Sequence, residues 1–223
     1  MARQRSLFDI VGPVMIGPSS SHTAGAVRLG ALAAAIFGRR ATSAHIRLHG
    51  SFSSTGTGHG TDLALVAGLL GMAPDDARIP DALTLADAAG LAVEFEHTDL
   101  GEVHPNSAEF VVTDGSGASM VVRGSSLGGG DVVVTRVDGF DVEVTGELPV
   151  LVVEHVDRPG EIAGVTGKLA ESGVNIASMQ VSREKRGARA LMLIETDIPV
   201  SDGCAALIAE QPGVEAVMRV PAI

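Results

Sequence analysis

Two serine-rich segments place hydroxyl groups and a histidine directly before apolar sequence with helical spacing. The first contains SSSHT and precedes an alanine-rich run. The first amides of a helix lack intrahelical acceptors and carry a partial positive charge, so an anion bound there is stabilised. Hydroxyl groups and an imidazole N–H can donate further hydrogen bonds to the same anion. We therefore predict a carboxylate or phosphate site built from Ser19, Ser20, Ser21, His22 and Thr23.

This turn also has a purely structural explanation, because serine and threonine are preferred residues at helix N-caps. A single cap requires one hydroxyl, whereas the turn offers four, from Ser19, Ser20, Ser21 and Thr23. The residues alone leave both explanations open.

The second segment, HGSFSSTGTGHGTD from His49 to Asp62, has the same character and is predicted to be a glycine- and serine-rich loop before a helix. It is not a Walker loop, since no Lys-Ser/Thr pair follows its glycines, and it lacks the dinucleotide-binding glycine spacing. A flexible turn is the structural alternative. Two such segments in one chain favour a shared pocket, to which the second contributes Ser53, Ser54, Thr57, His59 and Asp62.

Two histidines are the candidates for proton transfer or substrate orientation, because imidazole titrates near physiological pH. They are His22 and His59, and the residue types do not assign the base between them. HPNS, at residues 104–107, is a further candidate, although a His-Pro turn is usually structural.

The hydrophobic pattern predicts an α+β fold in two units. The first unit, residues 1–146, begins with helices and continues with strands. The second unit, residues 147–223, has the order βαββαβ, with a hairpin tip at Arg186 and Gly187. In the first unit we predict helices at 22–37, 61–71 and 81–89, and strands at 43–50, 91–98, 108–113, 118–123, 131–137 and 140–145.

Composition and charge exclude several classes of function. The formal charge is −11 and the chain has no Trp or Tyr, so binding to a nucleic acid is not expected. A single cysteine, Cys204, excludes an intrachain disulfide framework and a multi-cysteine metal site built by this chain alone. The sequence lacks the apolar core of a signal peptide and any run long enough to span a bilayer, so we expect a cytoplasmic protein that does not contact a membrane.

Both units resemble known families. SLFDIVGPVMIGPSSSHTAGAVRLG, followed by LHGSFSSTGTGHGTD, resembles the β subunit of the two-chain iron–sulfur L-serine dehydratases. VDRPGEIAGVTGKLAESGVNIASM resembles an ACT domain, a regulatory module often found on amino-acid enzymes. The first unit is also similar to the allosteric substrate-binding domain of some phosphoglycerate dehydrogenases. The resemblance covers essentially the whole chain. It implies a serine dehydratase β domain, similar to the allosteric substrate-binding domain, followed by a ferredoxin-like ACT domain.

This resemblance implies an enzyme subunit that deaminates L-serine to pyruvate and ammonia. The family's α subunit carries the cysteines that hold a 4Fe-4S cluster, and the lone Cys204 of this chain cannot bind such a cluster. The implied partners are therefore a cluster-bearing α subunit and L-serine. The substrate carboxylate is expected on the turn from Ser19 to Thr23, and no metal ligand is expected in this chain.

An amino-acid effector of the ACT domain is a further implied ligand. Its expected site lies between paired domains, in an assembly that is a homodimer or a heterotetramer. The alternative is that Asp157 caps a helix and Gly173 ends it, with no ligand bound. The residues implied for the effector are Asp157, Arg158, Pro159, Gly160, Gly173, Val174 and Asn175.

Two other functions compete with the enzyme. One is a non-catalytic amino-acid sensor, in which the first unit binds serine and the ACT domain transmits the signal. The other is an anion-binding domain for a phosphorylated metabolite.

Overall fold

The computed structural model describes residues 13–223, and in this range the chain alternates between helices and strands. A π-helical turn, Ser20–Ala24, comes first, and a short 3₁₀ helix spans Ile79–Asp81. The α-helices are α1 (Gly25–Phe37), α2 (Gly50–His59), α3 (Thr61–Leu69), α4 (Ala82–Ala88), α5 (Glu161–Glu171) and α6 (Asp202–Ala209). The strands are β1 (Ala41–Leu48), β2 (Ala92–His97), β3 (Ser107–Asp114), β4 (Ser119–Gly128), β5 (Asp131–Val137), β6 (Phe140–Val144), β7 (Val150–Val156), β8 (Ile176–Arg183), β9 (Arg189–Thr196) and β10 (Val214–Val220).

A six-stranded sheet with the order β2-β1-β3-β4-β5-β6 supports the first unit. Strands β1 and β2 are parallel, and the other neighbours are antiparallel. Alternate residues of β1, at Ala44, Ile46 and Leu48, are buried, as expected for a strand with one face on a core. Helix α1 packs on β4 and β5, and α3 packs on α1.

Glycines allow α1 and α3 to approach each other closely. A Cβ atom on Gly68 would lie 2.0 Å from the Val27 carbonyl oxygen, and one on Gly30 would lie 2.2 Å from the Leu65 carbonyl oxygen. Only glycine fits at these positions, because the neighbouring atoms belong to the backbone. The close crossing holds α1, and with it the serine-rich turn, against the rest of the first unit.

The second unit forms a four-stranded antiparallel sheet with the order β10-β7-β9-β8. One face of this sheet, including Leu151 and Met192, packs in a hydrophobic core with residues of α5 and α6. The opposite face, including Val150, Leu193 and Met218, belongs to the same hydrophobic core as the first unit. The two sheets are thus joined by apolar packing, and the division near residue 147 stays a prediction.

The α+β fold and the order βαββαβ are confirmed, but the interpretation of residues 49–60 as a loop is wrong. Helix α2 occupies Gly50–His59 despite glycines that disfavour a helix. Its first turn is held by neighbouring backbone, since the Ser51 N–H donates to the Pro105 carbonyl (2.8 Å). Phe52 is fully buried and anchors the helix on the core. These tertiary contacts outweigh the low local propensity.

Within residues 13–223, no helix is both long enough and apolar enough to cross a membrane.

Candidate active site

The serine-rich segment folds into a π-helical turn that orients His22. The Gly25 N–H donates to the Ser20 carbonyl, five residues earlier, which gives the turn its π geometry. The side chain of Ser19 caps the turn, because its Oγ accepts from the His22 N–H (3.3 Å). Gly25 permits close packing against β4, since a Cβ atom there would lie 2.0 Å from the Ser126 Oγ. The turn is therefore clamped between its own cap and the sheet.

Helix α2 presents a polar stripe to this turn. Ser51, Thr55 and His59 are spaced by four residues, so they lie on one face of the helix. The Nε2 atom of His22 lies 3.1 Å from the Ser51 Oγ and 3.1 Å from the Thr55 Oγ1. The rings of His22 and His59 are 5.1 Å apart between centroids.

Ser21 completes this group, because its Oγ lies 3.0 Å from the Nδ1 of His22. We call Ser21, His22, Ser51, Thr55 and His59 the histidine cluster. It joins the π-helical turn to α2, and His22 lies at its centre, in contact with or beside every other member.

Burial lowers the pKa of His22, and the nearby His59 lowers it further, while a backbone hydrogen bond to Ser51 opposes the shift. The Phe52 ring also packs against the imidazole in a T-shaped arrangement, with 5.3 Å between ring centroids. His22 is consequently neutral near pH 7, and it can accept one hydrogen bond and donate another.

The other predicted residues of the first unit occupy several positions. Ser19 and Ser20 are half-buried in the turn, and Ser19 Oγ lies 3.3 Å from Ser21 Oγ. Thr23 is buried, and a Cβ atom on Gly17 would lie 2.2 Å from its Oγ1. Within the described residues, the hydroxyl of Thr23 and one carboxylate oxygen of Asp62 are buried without a hydrogen-bond partner.

On α2, the structure brings together a different set from the one predicted. Ser53 Oγ lies 3.1 Å from the Nδ1 of His97, on a face about 200° around the helix from Ser51. Ser54 is exposed, and the Thr57 side chain lies outside the described part of the structure. Sequence reasoning missed Ser51 and Thr55. Thr55 is four residues from Ser51 and four from His59, a spacing that identifies one helix face only once the segment is known to be a helix.

The residues implied for an amino-acid effector fall into two groups within one chain. Asp157–Gly160 precede α5 and 173–175 follow it, so about 16 Å of helix separates them. Asp157 Oδ2 accepts from the Gly187 N–H (3.0 Å) and from Arg183 Nη1 (2.9 Å). Asn175 donates to Asp197 (2.7 Å). A shared site for both groups requires a second copy of the domain and stays a prediction.

The described residues do not fit a metal cluster. They contain no group of three or more His, Cys, Asp or Glu side chains arranged to hold a metal ion. Cys204 is buried in the core of the second unit, where its thiol lies 3.7 Å from the Lys168 carbonyl oxygen.

The histidine cluster lies at an open surface. Thr55 and His59 are exposed, and Ser21 is half-buried. Among the described residues, cavities of about 410, 440 and 500 Å³ are lined by other parts of the chain, and none of the three includes a cluster residue. Any small molecule bound at the cluster would be only partly enclosed by residues 13–223.

Comparison with known proteins gives matches to both units. A family model described as "Serine dehydratase beta chain" matches residues 6–91, and one described as "ACT domain" matches residues 149–203. A probable L-serine dehydratase beta chain from Bacillus subtilis is 41% identical over 218 residues, which cover 98% of this chain and 99% of that protein. An L-serine dehydratase beta chain from Peptoniphilus asaccharolyticus is 39% identical over 198 residues, 88% of this chain and 89% of that protein.

A shorter match occurs in an enzyme with another name. The D-3-phosphoglycerate dehydrogenase of Methanocaldococcus jannaschii is 38% identical over 85 residues, 38% of this chain and 16% of that protein. The matches over nearly the whole length carry more weight. The chain belongs to the L-serine dehydratase beta-chain family, and its C-terminal region is an ACT domain.

Proposed function

We propose that this chain is the β subunit of a two-chain, iron–sulfur L-serine dehydratase that converts L-serine to pyruvate and ammonia. The observation that carries the proposal is the histidine cluster, in which two imidazoles lie 5.1 Å apart beside a turn rich in hydroxyl groups. The family relationship supplies the substrate, since two relatives that match most of the chain are named L-serine dehydratase beta chains.

The π-helical turn is proposed to bind the substrate carboxylate. Ser19 already engages the His22 N–H through its Oγ and the Thr23 N–H through its carbonyl. The amides of Ser20 and Ser21 precede these and are the ones that an anion would meet. The half-buried hydroxyls of the same turn add donors, and the positive end of the helical segment favours a carboxylate. Thr23 is enclosed and braces the turn against Gly17.

His59 is proposed to remove the α-proton of L-serine. Its Nδ1 lies 3.0 Å from the Thr55 carbonyl oxygen, and a carbonyl can only accept, so Nδ1 carries the proton. In the neutral ring Nε2 then carries the lone pair. His59 is exposed and can reach a substrate, whereas His22 is buried with both ring nitrogens in contact with hydroxyls. A neutral imidazole with an open nitrogen is suited to act as a general base.

The reaction that follows is an elimination. The α-C–H bond breaks, its proton goes to His59 and its electron pair forms the Cα=Cβ bond, while the β-C–O bond breaks. The departing hydroxide takes up the proton that His59 returns and is released as water. The product, 2-aminoacrylate, rearranges to an imine, and water then hydrolyses the imine to pyruvate and ammonia. The amide and hydroxyl donors on the carboxylate stabilise the negative charge that develops as the α-proton is removed.

The partner α chain is proposed to hold the 4Fe-4S cluster and to close the site. The described residues of this chain do not fit a cluster, and the histidine cluster is open to the surface. A complementary chain over this surface would exclude water from the bound substrate. We further propose a cytoplasmic location, an amino-acid effector on the ACT domain, and an assembly in which the exposed edge strand β8 pairs with a second copy.

A sensor without catalytic activity is the second candidate function. The partial match to a D-3-phosphoglycerate dehydrogenase favours it, because it shows that part of this chain recurs in a protein of another activity. In that case the turn binds serine, and the ACT domain transmits the signal.

Reconstitution with the partner chain separates the two functions. The chain is co-expressed anaerobically with a cysteine-bearing α chain from the same genome, iron and sulfide are quantified, and pyruvate formation from L-serine is followed. We expect pyruvate from the cluster-loaded complex and none from either chain alone. A complex that is loaded with cluster and binds L-serine yet forms no pyruvate would establish the sensor, especially if His22→Ala alters only affinity.

A further inference from the structure

One residue of α2 contacts both histidines of the cluster. The hydroxyl of Thr55 lies 3.1 Å from the Nε2 of His22, and its backbone carbonyl lies 3.0 Å from the Nδ1 of His59. In a neutral imidazole one nitrogen carries the proton and the other carries the lone pair. Because Thr55 contacts one nitrogen of each ring, it is placed to determine the tautomer of both histidines.

The hydroxyl of Thr55 has its only proton committed elsewhere. It donates to the Ser51 carbonyl, four residues earlier in α2, at 2.8 Å. Toward His22 the Thr55 oxygen can therefore only accept, so the Nε2 of His22 carries a proton. In the neutral ring the Nδ1 then carries the lone pair. The hydroxyl of Ser21 lies 3.0 Å from this nitrogen and donates to it.

Ser51 does not impose the same restriction. Its Oγ lies 3.1 Å from the Nε2 of His22 and 3.3 Å from the Thr55 Oγ1, so its proton can point to either atom. A hydroxyl that rotates freely can donate to a bare nitrogen or accept from an N–H. The Ser51 hydroxyl is therefore compatible with either form of His22, whereas the Thr55 oxygen requires the Nε2–H form, which the Ser51 carbonyl also favours.

We propose that Thr55 is a positioning residue that sets the tautomers of both histidines, through its hydroxyl for His22 and its carbonyl for His59. The consequence is an ordered pair in which His22 presents Nδ1 to Ser21 and His59 presents Nε2 to the surface. The catalytic meaning of this order depends on the proposed function, but the tautomers themselves do not.

The Thr55 hydroxyl could instead serve only to stabilise its helix, and a second threonine that does so provides the matched control. Threonine hydroxyls in helices often donate to the carbonyl four residues earlier. Thr166 does so in α5, where its Oγ1 donates to the Ile162 carbonyl at 2.8 Å. Thr55→Val and Thr166→Val thus remove the same type of helical bond, and only the first also removes an acceptor from a histidine.

The test is a long-range ¹H–¹⁵N NMR spectrum of the full chain labelled on histidine, recorded above the pKa of both rings. We expect His22 as the Nε2–H form in the wild type, in Thr55→Ser, in Ser51→Ala and in Thr166→Val. In Thr55→Val, His22 should become a mixture of both tautomers, while His59 keeps the Nδ1–H form because the carbonyl remains. The proposal is overturned if Thr55→Val leaves His22 unchanged, or if Ser51→Ala or Thr166→Val shifts it as much.

The activity of the reconstituted complex provides a second readout. A wrong histidine tautomer costs about 10⁴-fold in a serine protease triad, where all molecules are affected. Since only part of the His22 population would change, we expect kcat to fall about tenfold in Thr55→Val, with recovery in Thr55→Ser. If the wild-type complex forms no pyruvate, the proposed function fails while the NMR result still decides the role of Thr55.

Discussion

The turns that precede α1 and α5 begin in similar sequence and serve different purposes. Both follow a proline and glycine pair, at Gly17–Pro18 and Pro159–Gly160. At the first turn, side chains bond to the neighbouring helix α2, and their contacts converge on His22. At the second, no side chain caps the helix, and Asp157 is tied to the hairpin of its own domain.

This comparison shows which polar cluster can bind and transform a ligand. Around His22 the hydroxyls contact one another and an imidazole across two elements, at a half-open surface. Around Asp157 the carboxylate is neutralised by a backbone N–H and a guanidinium, so its charge is already satisfied. Polar residues before a helix indicate a reactive site when a second element adds a group that can transfer a proton, as α2 adds His59 beside His22.

The largest expected effect is on catalysis, at His59. His59→Ala should lower kcat for pyruvate formation by about 10²–10⁴-fold, because a general base contributes that much. The measurement is a coupled pyruvate assay on the reconstituted complex. His45→Gln is the control, since His45 lies on β1 beside Glu96 (3.2 Å) and outside the cluster. An activity loss below tenfold in His59→Ala would assign the base elsewhere.

Two glycine-to-alanine substitutions, one in each region, should change the free energy of unfolding in opposite directions. Gly68→Ala forces a Cβ atom against the Val27 carbonyl, and we expect a loss of about 1–3 kcal/mol in the free energy of unfolding. Gly167→Ala lies in α5, where the new Cβ meets no atom of the described residues within 4 Å apart from its chain neighbours and its own helix backbone, and we expect a gain of about 0.4–1 kcal/mol. Urea unfolding followed by far-UV circular dichroism measures both, and equal signs would contradict the packing described for α1 and α3.

The pH dependence of stability should involve His22. Burial and the proximity of His59 lower its pKa in the folded state, so the unfolded state binds more protons. The stabilisation from neutral His22 is therefore present above its unfolded pKa and is lost as the pH falls through the folded value. Urea unfolding between pH 8 and 5 should show a steeper loss for the wild type than for His22→Gln. Parallel curves would show that His22 does not take part.

The smallest expected effect is local, in the hairpin of the ACT domain. The Gly187 N–H and the Arg183 guanidinium lower the pKa of Asp157, so its stabilising contribution is present at neutral pH and lost in acid. Asp157→Asn should speed amide hydrogen exchange at residues 184–189 and leave global unfolding nearly unchanged. Asp197→Asn, which removes the charge of the acceptor of Asn175 at the other end of α5, should not affect these amides.

Most of the architecture was accessible from the order of apolar and turn residues. The strands of both sheets and the order βαββαβ were predicted from two patterns, alternation of apolar and polar residues, as in β1, and continuous apolar runs, as in β7. Helix α2 was not, because its glycines argue locally for a loop. The contacts that form it, from Ser51 to Pro105 and from Phe52 to the core, join residues distant in sequence.

The candidate site divides in the same way. His22 and His59 were identified from their residue type and context, and the structure brings their rings together. Ser51 and Thr55 could be recognised only after α2 was known to be a helix, since a loop gives no meaning to a spacing of four residues. The helical geometry also places Ser53 on another face, where its hydroxyl contacts His97.

By itself the sequence determined the fold class, the ACT pattern and the serine-rich turn, because these depend on local periodicity and on side-chain chemistry. The tertiary structure alone decided which hydroxyls meet the histidines, and that one face of the second sheet packs into the first core. The physical reason is that a helix rich in glycine has little stability of its own. Its existence, and therefore the face that it presents to His22, depends on contacts with distant residues.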